Sequence, residues 1–194
     1  MPPKPATSST PADTAPTAWV VLLRGVNVGG SRRVSSADLR GAAASAGLTD
    51  ARTYANSGNL VAVGAADDGD VAGRVAAALA DRLDGDLRVV ALTAERAAAV
   101  LAADPFPDSV ADHPSHVQVH VSPEPVDADA LARLVEDRPE RVAVVDGVLY
   151  VDYVVGIGRS KLTPALVDRA AGTWTTARNW NTLTKLVAMA RDTT

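Results

Sequence analysis

The sequence predicts an α+β fold of two tandem ferredoxin-like plaits, each βαββαβ, with an extra helix after each. Three observations predict it. The alternation of short apolar runs with helical stripes over residues 19–92 begins again at residue 117. Each half carries a tight-turn signal between two strand-like runs, Asn56-Ser57-Gly58-Asn59 in the first and Asp146-Gly147 in the second. The chain has 194 residues, 47% of them hydrophobic, which suffices for a core. Halves of roughly 75 residues are nonetheless small for independent stability, so they should bury faces against each other.

In the first half, Trp19-Val20-Val21-Leu22-Leu23-Arg24 is an apolar run of strand length, ended by the glycines of VNVGG. Ser35 caps a helix, with Asp38 three residues on as a capping box, and Gly47 stops it. Strands follow at 51–55 and 60–63, with Gly58 supplying positive φ in the turn between them. Asp70 starts a helix with Val71, Val75, Leu79 and Leu83 on one stripe; Gly85 ends it, and 87–92 is the fourth strand. Thr93 caps an extra helix at 94–103, which Asp104-Pro105-Phe106-Pro107-Asp108 breaks.

The second half repeats the order. Strand 117–121 leads to helix 127–137, which Pro139 ends, and then to strands 141–145 and 148–154. Thr163 caps a helix with Pro164 at its first turn, and Gly172 closes it. A short strand at 173–177 and a helix over 180–191 finish the chain. The expected division is a tail at 1–18, a first half at 19–104 and a second at 105–194. The tail holds five of the 12 prolines and too little apolar surface to order itself. It has no apolar signal region, and no run reaches membrane length, so a cytoplasmic protein with no membrane partner is expected.

Three segments, LLRGVNVGG (22–30), YANSGNL (54–60) and GIGRSKL with TARNWNTLTKL (156–186), resemble the bacterial domain-of-unknown-function family 1697. The resemblance runs from residue 19 to the C-terminus. It implies an α+β fold built from ferredoxin-like halves and supplies no activity.

Composition helps to locate a candidate site. Cysteine is absent, which excludes disulfides, thiol nucleophiles and thiolate metal sites. The net charge of −4 opposes binding nucleic acid by bulk charge. The scarce residues are placed unevenly: all five asparagines lie at 27, 56, 59, 179 and 181, and two of the three lysines are Lys161 and Lys185. Residues 159–185 carry five bases and one acid, Asp168, a local +4 on a body that must then be −8. Plait topology brings Arg24, Asn27, Gly29 and Gly30 beside Asn56, Ser57, Gly58 and Asn59 at one end of the first half. It also brings Arg159, Ser160 and Lys161 toward Arg178, Asn179 and Asn181 in the second, with Lys185 following on the last helix.

Glycine, amide and cationic side chains at helix starts suit a small anion, a nucleotide or nucleic-acid phosphates. The competing reading makes the amides caps and turn formers, or ties between the halves. A third is a metal-free enzyme acting on a small metabolite through Lys161 or Lys185. No cofactor is expected. His113, His116 and His120 lack a completing ligand set for a metal, and His116 and His120 fall on the non-core face of their strand. The Ser160-Lys161 pair diverges along the chain, and VNVGG lacks the lysine of a phosphate-binding P-loop. Exposed aromatics of the RNA-reading type are absent, which leaves nucleic acid the weaker partner.

Overall fold

The computed structural model describes residues 16–27, 33–64, 70–83 and 87–193. Gly29 and Gly30, and most of the expected tail, lie outside the described residues. The chain forms two four-stranded antiparallel sheets with seven α-helices among the described residues. The first half contains β1 (Thr17–Leu23), α1 (Ser36–Ser45), β2 (Thr49–Thr53), β3 (Asn59–Gly64), α2 (Val71–Ala80) and β4 (Val89–Thr93). After α3 (Ala94–Ala102) and α4 (Pro107–Asp112) come β5 (Val117–Val121), α5 (Ala128–Val135), β6 (Arg141–Val145) and β7 (Val148–Asp152). A 3₁₀ turn (Ile157–Arg159), α6 (Pro164–Ala171), β8 (Thr176–Asn179) and α7 (Trp180–Arg191) complete it. The strand orders are β2-β3-β1-β4 and β6-β7-β5-β8, so the two sheets share one connectivity.

Alternation along β1 explains its uninterrupted apolar run. Trp19, Val21 and Leu23 face the α1 and α2 side, against Leu39, Val75 and Leu79. Val20 and Leu22 face the other way, against Leu186, Val187 and Ala190 of α7. A strand buried on both faces needs apolar side chains at every position. The second sheet repeats the arrangement. Leu149 and Val151 pack with Leu131 and Val167 of α5 and α6, while Val148 and Tyr150 pack with Val100, Trp180 and Leu183. Helices α3 and α7 therefore form a layer shared by both sheets, and each fully buried leucine there contributes about 2 kcal/mol. The Tyr150 hydroxyl, which burial pushes up to about 12, donates to the Val100 carbonyl at 2.7 Å and fixes α3 on the second sheet.

Local chemistry accounts for most boundaries. Ser35 and Asp38 form the reciprocal capping box, and Thr93, Asp127, Thr163 and Asn179 cap α3, α5, α6 and α7 with their side chains. Asp146 and Gly147 both adopt positive φ, 49° and 77°, as a two-residue hairpin requires.

Several expectations are corrected. Order begins by Thr17, which pairs with Gly64, so residues 17 and 18 belong to β1 rather than to a tail. Strand β2 starts at Thr49, carried there by a bulge in which Asp50 takes φ 51°. The segment Asp104 to Asp108 does break the chain after α3, but its Pro107 also opens a further helix, α4, because proline fits the first turn of a helix. Asp70 precedes α2 but gives no side-chain cap, because its carboxylate pairs with Arg74 at 3.0 Å. Strand β8 starts at Thr176 rather than 173, since Thr175 directs its N–H to Asp168 at 2.9 Å. No helix among the described residues is long and apolar enough to cross a membrane.

Candidate functional site

A cleft of about 390 Å³ opens where the two halves meet. The first half lines it with Leu23 at the end of β1, Arg24, Gly25 and Val26 after it, and Ser57 in the β2–β3 turn. The second half contributes Gln118 and His120 of β5, Tyr153, Ile157, Pro164 at the start of α6, and Thr175 to Arg178. The loop pairs expected at separate ends of the two halves thus supply residues to one cavity.

Arg178 holds the cleft together. It is only 8% exposed, and every nitrogen of its guanidinium donates to a protein oxygen. Nε donates to Asn59 Oδ1; one terminal nitrogen donates to Thr176 Oγ1 and the Ala177 carbonyl at 3.1 and 2.7 Å. The other reaches across the halves to the carbonyls of Leu23, Ser57 and Gly58 at 2.8, 2.7 and 3.3 Å. All these acceptors are neutral, and Arg178 has no carboxylate partner among the described residues. Burial lowers its pKa to about 10, which leaves it a cation at neutral pH.

Arg24 is treated differently. Its guanidinium forks onto both oxygens of Asp168 and also donates to the Thr175 carbonyl. Asp168 accepts as well from the Thr175 N–H at 2.9 Å and the Thr175 hydroxyl at 3.2 Å. Burial alone would raise the Asp168 carboxyl, but the bonds from Arg24 and Thr175 outweigh it and hold the pKa below the ordinary carboxylate range.

The Thr175 hydroxyl continues to His120, whose Nδ1 lies 2.9 Å from Oγ1. His120 is 4% exposed, and its Nε2 has no hydrogen-bond partner among the described residues. Burial pushes the imidazole pKa down to about 4, with Arg24 adding to that and Asp168 opposing it. This corrects the sequence reading of β5: both of its faces are covered, and His120 stands inside the molecule. Tyr153 is also buried, and burial, reinforced by Glu140, pushes its hydroxyl up to about 12.

The remaining predicted residues divide between structure and surface. Asn27 adopts φ 58° and closes its own loop, donating to the carbonyls of Val34 and Asn56 at 2.9 and 2.6 Å and accepting from the Val34 N–H at 3.0 Å. Asn59 is fully buried, donating to the Tyr54 carbonyl at 2.9 Å while its oxygen accepts from Arg178. Gly58, at φ 69°, cannot carry a side chain: a Cβ would stand 2.5 Å from Val26 Cγ2 and 2.7 Å from Leu23 Cβ. Ser160 donates to buried Glu140 and accepts from the Leu162 N–H at 2.9 Å. The Asn179 side chain caps α7 through the Thr182 N–H at 2.9 Å. Asn56, Arg159, Lys161, Asn181 and Lys185 are exposed and do not line the cleft. Among the described residues, no three His, Asp or Glu side chains gather as a metal site.

Sequence reasoning missed His120, Thr175, Asp168 and Tyr153 as cleft-building residues. One signal was present: Asp168 is the single acid in the +4 segment 159–185.

The model of a family described as "Protein of unknown function (DUF1697)" matches residues 17–150. The chain belongs to this family. In this DUF1697 protein the matched stretch holds the cleft residues from Leu23 to His120, while Tyr153 to Arg178 lie beyond it. A solved structure, the conserved bacterial protein SP0830 from Streptococcus pneumoniae, is similar in fold with a TM-score of 0.66. It is 22% identical, and the match covers 91% of this chain and 99% of that one. No curated protein matches the chain.

Proposed function

We propose that this protein binds a small anionic ligand, with a carboxylate or phosphate group, in the cleft between its halves. One observation carries the reading. Arg178 is a buried cation with neutral partners only, and it faces a cleft whose other charged lining residue is Arg24. Buried charges ordinarily have a counter-charge; Arg24 has one in Asp168, and Arg178 has none, so its uncompensated charge beside the low-dielectric cavity favours an anion. Because its donors are all used, Arg178 acts through its field rather than by direct contact. Arg24, about a quarter exposed, borders the same cleft with its charge paired to Asp168. Exposed Arg159 and Lys161 follow Ile157 in sequence and add positive potential near it.

The shared strand order of the two sheets supports reading each half as a ferredoxin-like plait and the pair as tandem copies. A cytoplasmic, bacterial setting accords with the cysteine-free sequence and the bacterial structural neighbour. The size of the cleft suits a metabolite or a mononucleotide better than a nucleic-acid strand. A second role has its own support: Arg178 and Asn59 tie the halves together, so part of the motif set serves the interface. The enzyme alternative has less support, because Lys161 and Lys185 are exposed and neither lines the cleft.

Titration with benzoate and with isosteric, neutral benzamide tests the proposal by backbone amide NMR. Benzoate should shift Ile157, Tyr153 and Ala177, bind more tightly than benzamide, and weaken as salt is raised. Equal affinity for the two, or shifts confined to other surfaces, would count against it.

A further inference from the structure

The relay behind the cleft fixes what the buried histidine can offer a ligand. Asp168 is held ionised, so both of its oxygens are acceptors only. The Thr175 hydroxyl donates to Asp168 Oδ1, 3.2 Å away. An Oγ1 whose hydrogen is committed there can only accept from the neighbouring ring, 2.9 Å away, which selects the tautomer with the His120 proton on Nδ1. In that tautomer Nε2 is a bare lone pair. A buried acceptor without a partner is destabilising, and a donor brought by a ligand removes that cost.

We propose that His120 Nε2 is a specificity-determining acceptor of this cleft, selecting anionic ligands that also carry an O–H or N–H donor, such as hydroxy acids and hydroxyl-bearing phosphates. This inference rests on the anion-binding reading above and adds the second recognition element. The two elements fit together, because burial disfavours a proton on the imidazole, with Asp168 opposing that and Arg24 adding to it. The charge for the anion thus comes from Arg178, whose partners are all neutral, and the lone pair for the donor comes from the neutral ring. Val26, Tyr153, Ile157 and Pro164 supply apolar walls for the body of the ligand. The side chains of Asp168 and Thr175 are positioning residues, since they act on the ligand only through the orientation of the ring.

The test uses 4-hydroxybenzoate, 4-methoxybenzoate and benzoate with the intact protein. Long-range ¹H–¹⁵N correlations report the tautomer directly, and with three histidines in the chain His120 can be assigned by substitution. The free protein should show His120 protonated at Nδ1, and 4-hydroxybenzoate should shift its Nε2 resonance and bind about tenfold more tightly than 4-methoxybenzoate. His120→Asn keeps a donor toward Thr175 and removes the acceptor, so it should bind both benzoates alike. His120→Gln places an amide oxygen near the lost Nε2 and should restore part of the preference. A proton found on Nε2, or equal affinity of the wild type for the hydroxy and methoxy compounds, overturns this inference and leaves the anion reading standing. If none of the three binds in the cleft, the anion reading fails and this inference with it.

Discussion

Each half of the molecule sends one arginine to the cleft, and the two are neutralised in opposite ways. Arg24, from the loop after β1, crosses to the second half and forks onto a carboxylate, Asp168. Arg178, from β8, crosses to the first half and finds only carbonyls, an amide and a hydroxyl. The first is an ion pair, with both partners still partly open to solvent. The second is a buried charge held by dipoles. Both serve as ties between the halves, but only Arg178 leaves net positive potential in a closed environment, and that difference is the basis for expecting an anion there.

Breaking the two ties separately should sharpen the contrast. Arg178→Met should have the largest effect, because it leaves Asn59 Oδ1 and the Ser57 carbonyl without donors and takes one of two donors from each of the Leu23 and Gly58 carbonyls. A loss on the order of 3 kcal/mol or more in urea unfolding is expected. Arg178→Lys should recover little of it, since an ammonium cannot reach acceptors laid out for a planar fork.

Acid should weaken the Arg24 side in two stages. Between pH 6.5 and about 4 the unfolded chain holds a proton on residue 120 that the folded chain refuses, so stability falls as pH drops through that window. The total is on the order of 3 kcal/mol, and His120→Gln should abolish it. Asp168 has a lowered pKa, so its contribution is fully present above the unfolded carboxylate value near 3.9 and is lost only as pH falls through the lower folded value. Asp168→Asn at neutral pH should cost about 1–2 kcal/mol, less than Arg178→Met because the pair is partly screened by solvent. Denaturant titrations across pH separate these contributions.

Smaller effects lie at the surface. Lys161→Ala should reduce benzoate affinity about threefold at low salt and leave stability unchanged. Lys185→Ala should change neither affinity nor stability beyond about 0.5 kcal/mol, because its side chain is exposed on α7 away from the cleft.

The sequence made the elements legible wherever local chemistry decides them. The capping box at Ser35, the Asp146-Gly147 turn and the stripe Val71-Val75-Leu79 each act within a few residues, and each appears as read. Cluster locations were legible too, since the scarce asparagines marked both the β2–β3 turn and the start of α7. The work of those residues was not. Asn59 and Arg178 are 119 positions apart, and nothing local says that one side chain ends on the other. Alternation along β5 places His120 on the outward face, because it reports two faces but cannot say that the second is also covered. That covering comes from α5 and α6, which pack on the face His120 shares with Leu149, and from the loop after β1 of the other half, which is tertiary information.

The most direct test of the central claim is an anomalous difference map from crystals soaked in iodide. A halide needs no hydrogen-bond geometry, so it reports where the molecule holds uncompensated positive charge. An ordered iodide in the cleft between Arg24 and Arg178, lost in Arg178→Met if that variant folds, is the predicted result. An iodide-free cleft in crystals that carry ordered iodide elsewhere on the surface would contradict it.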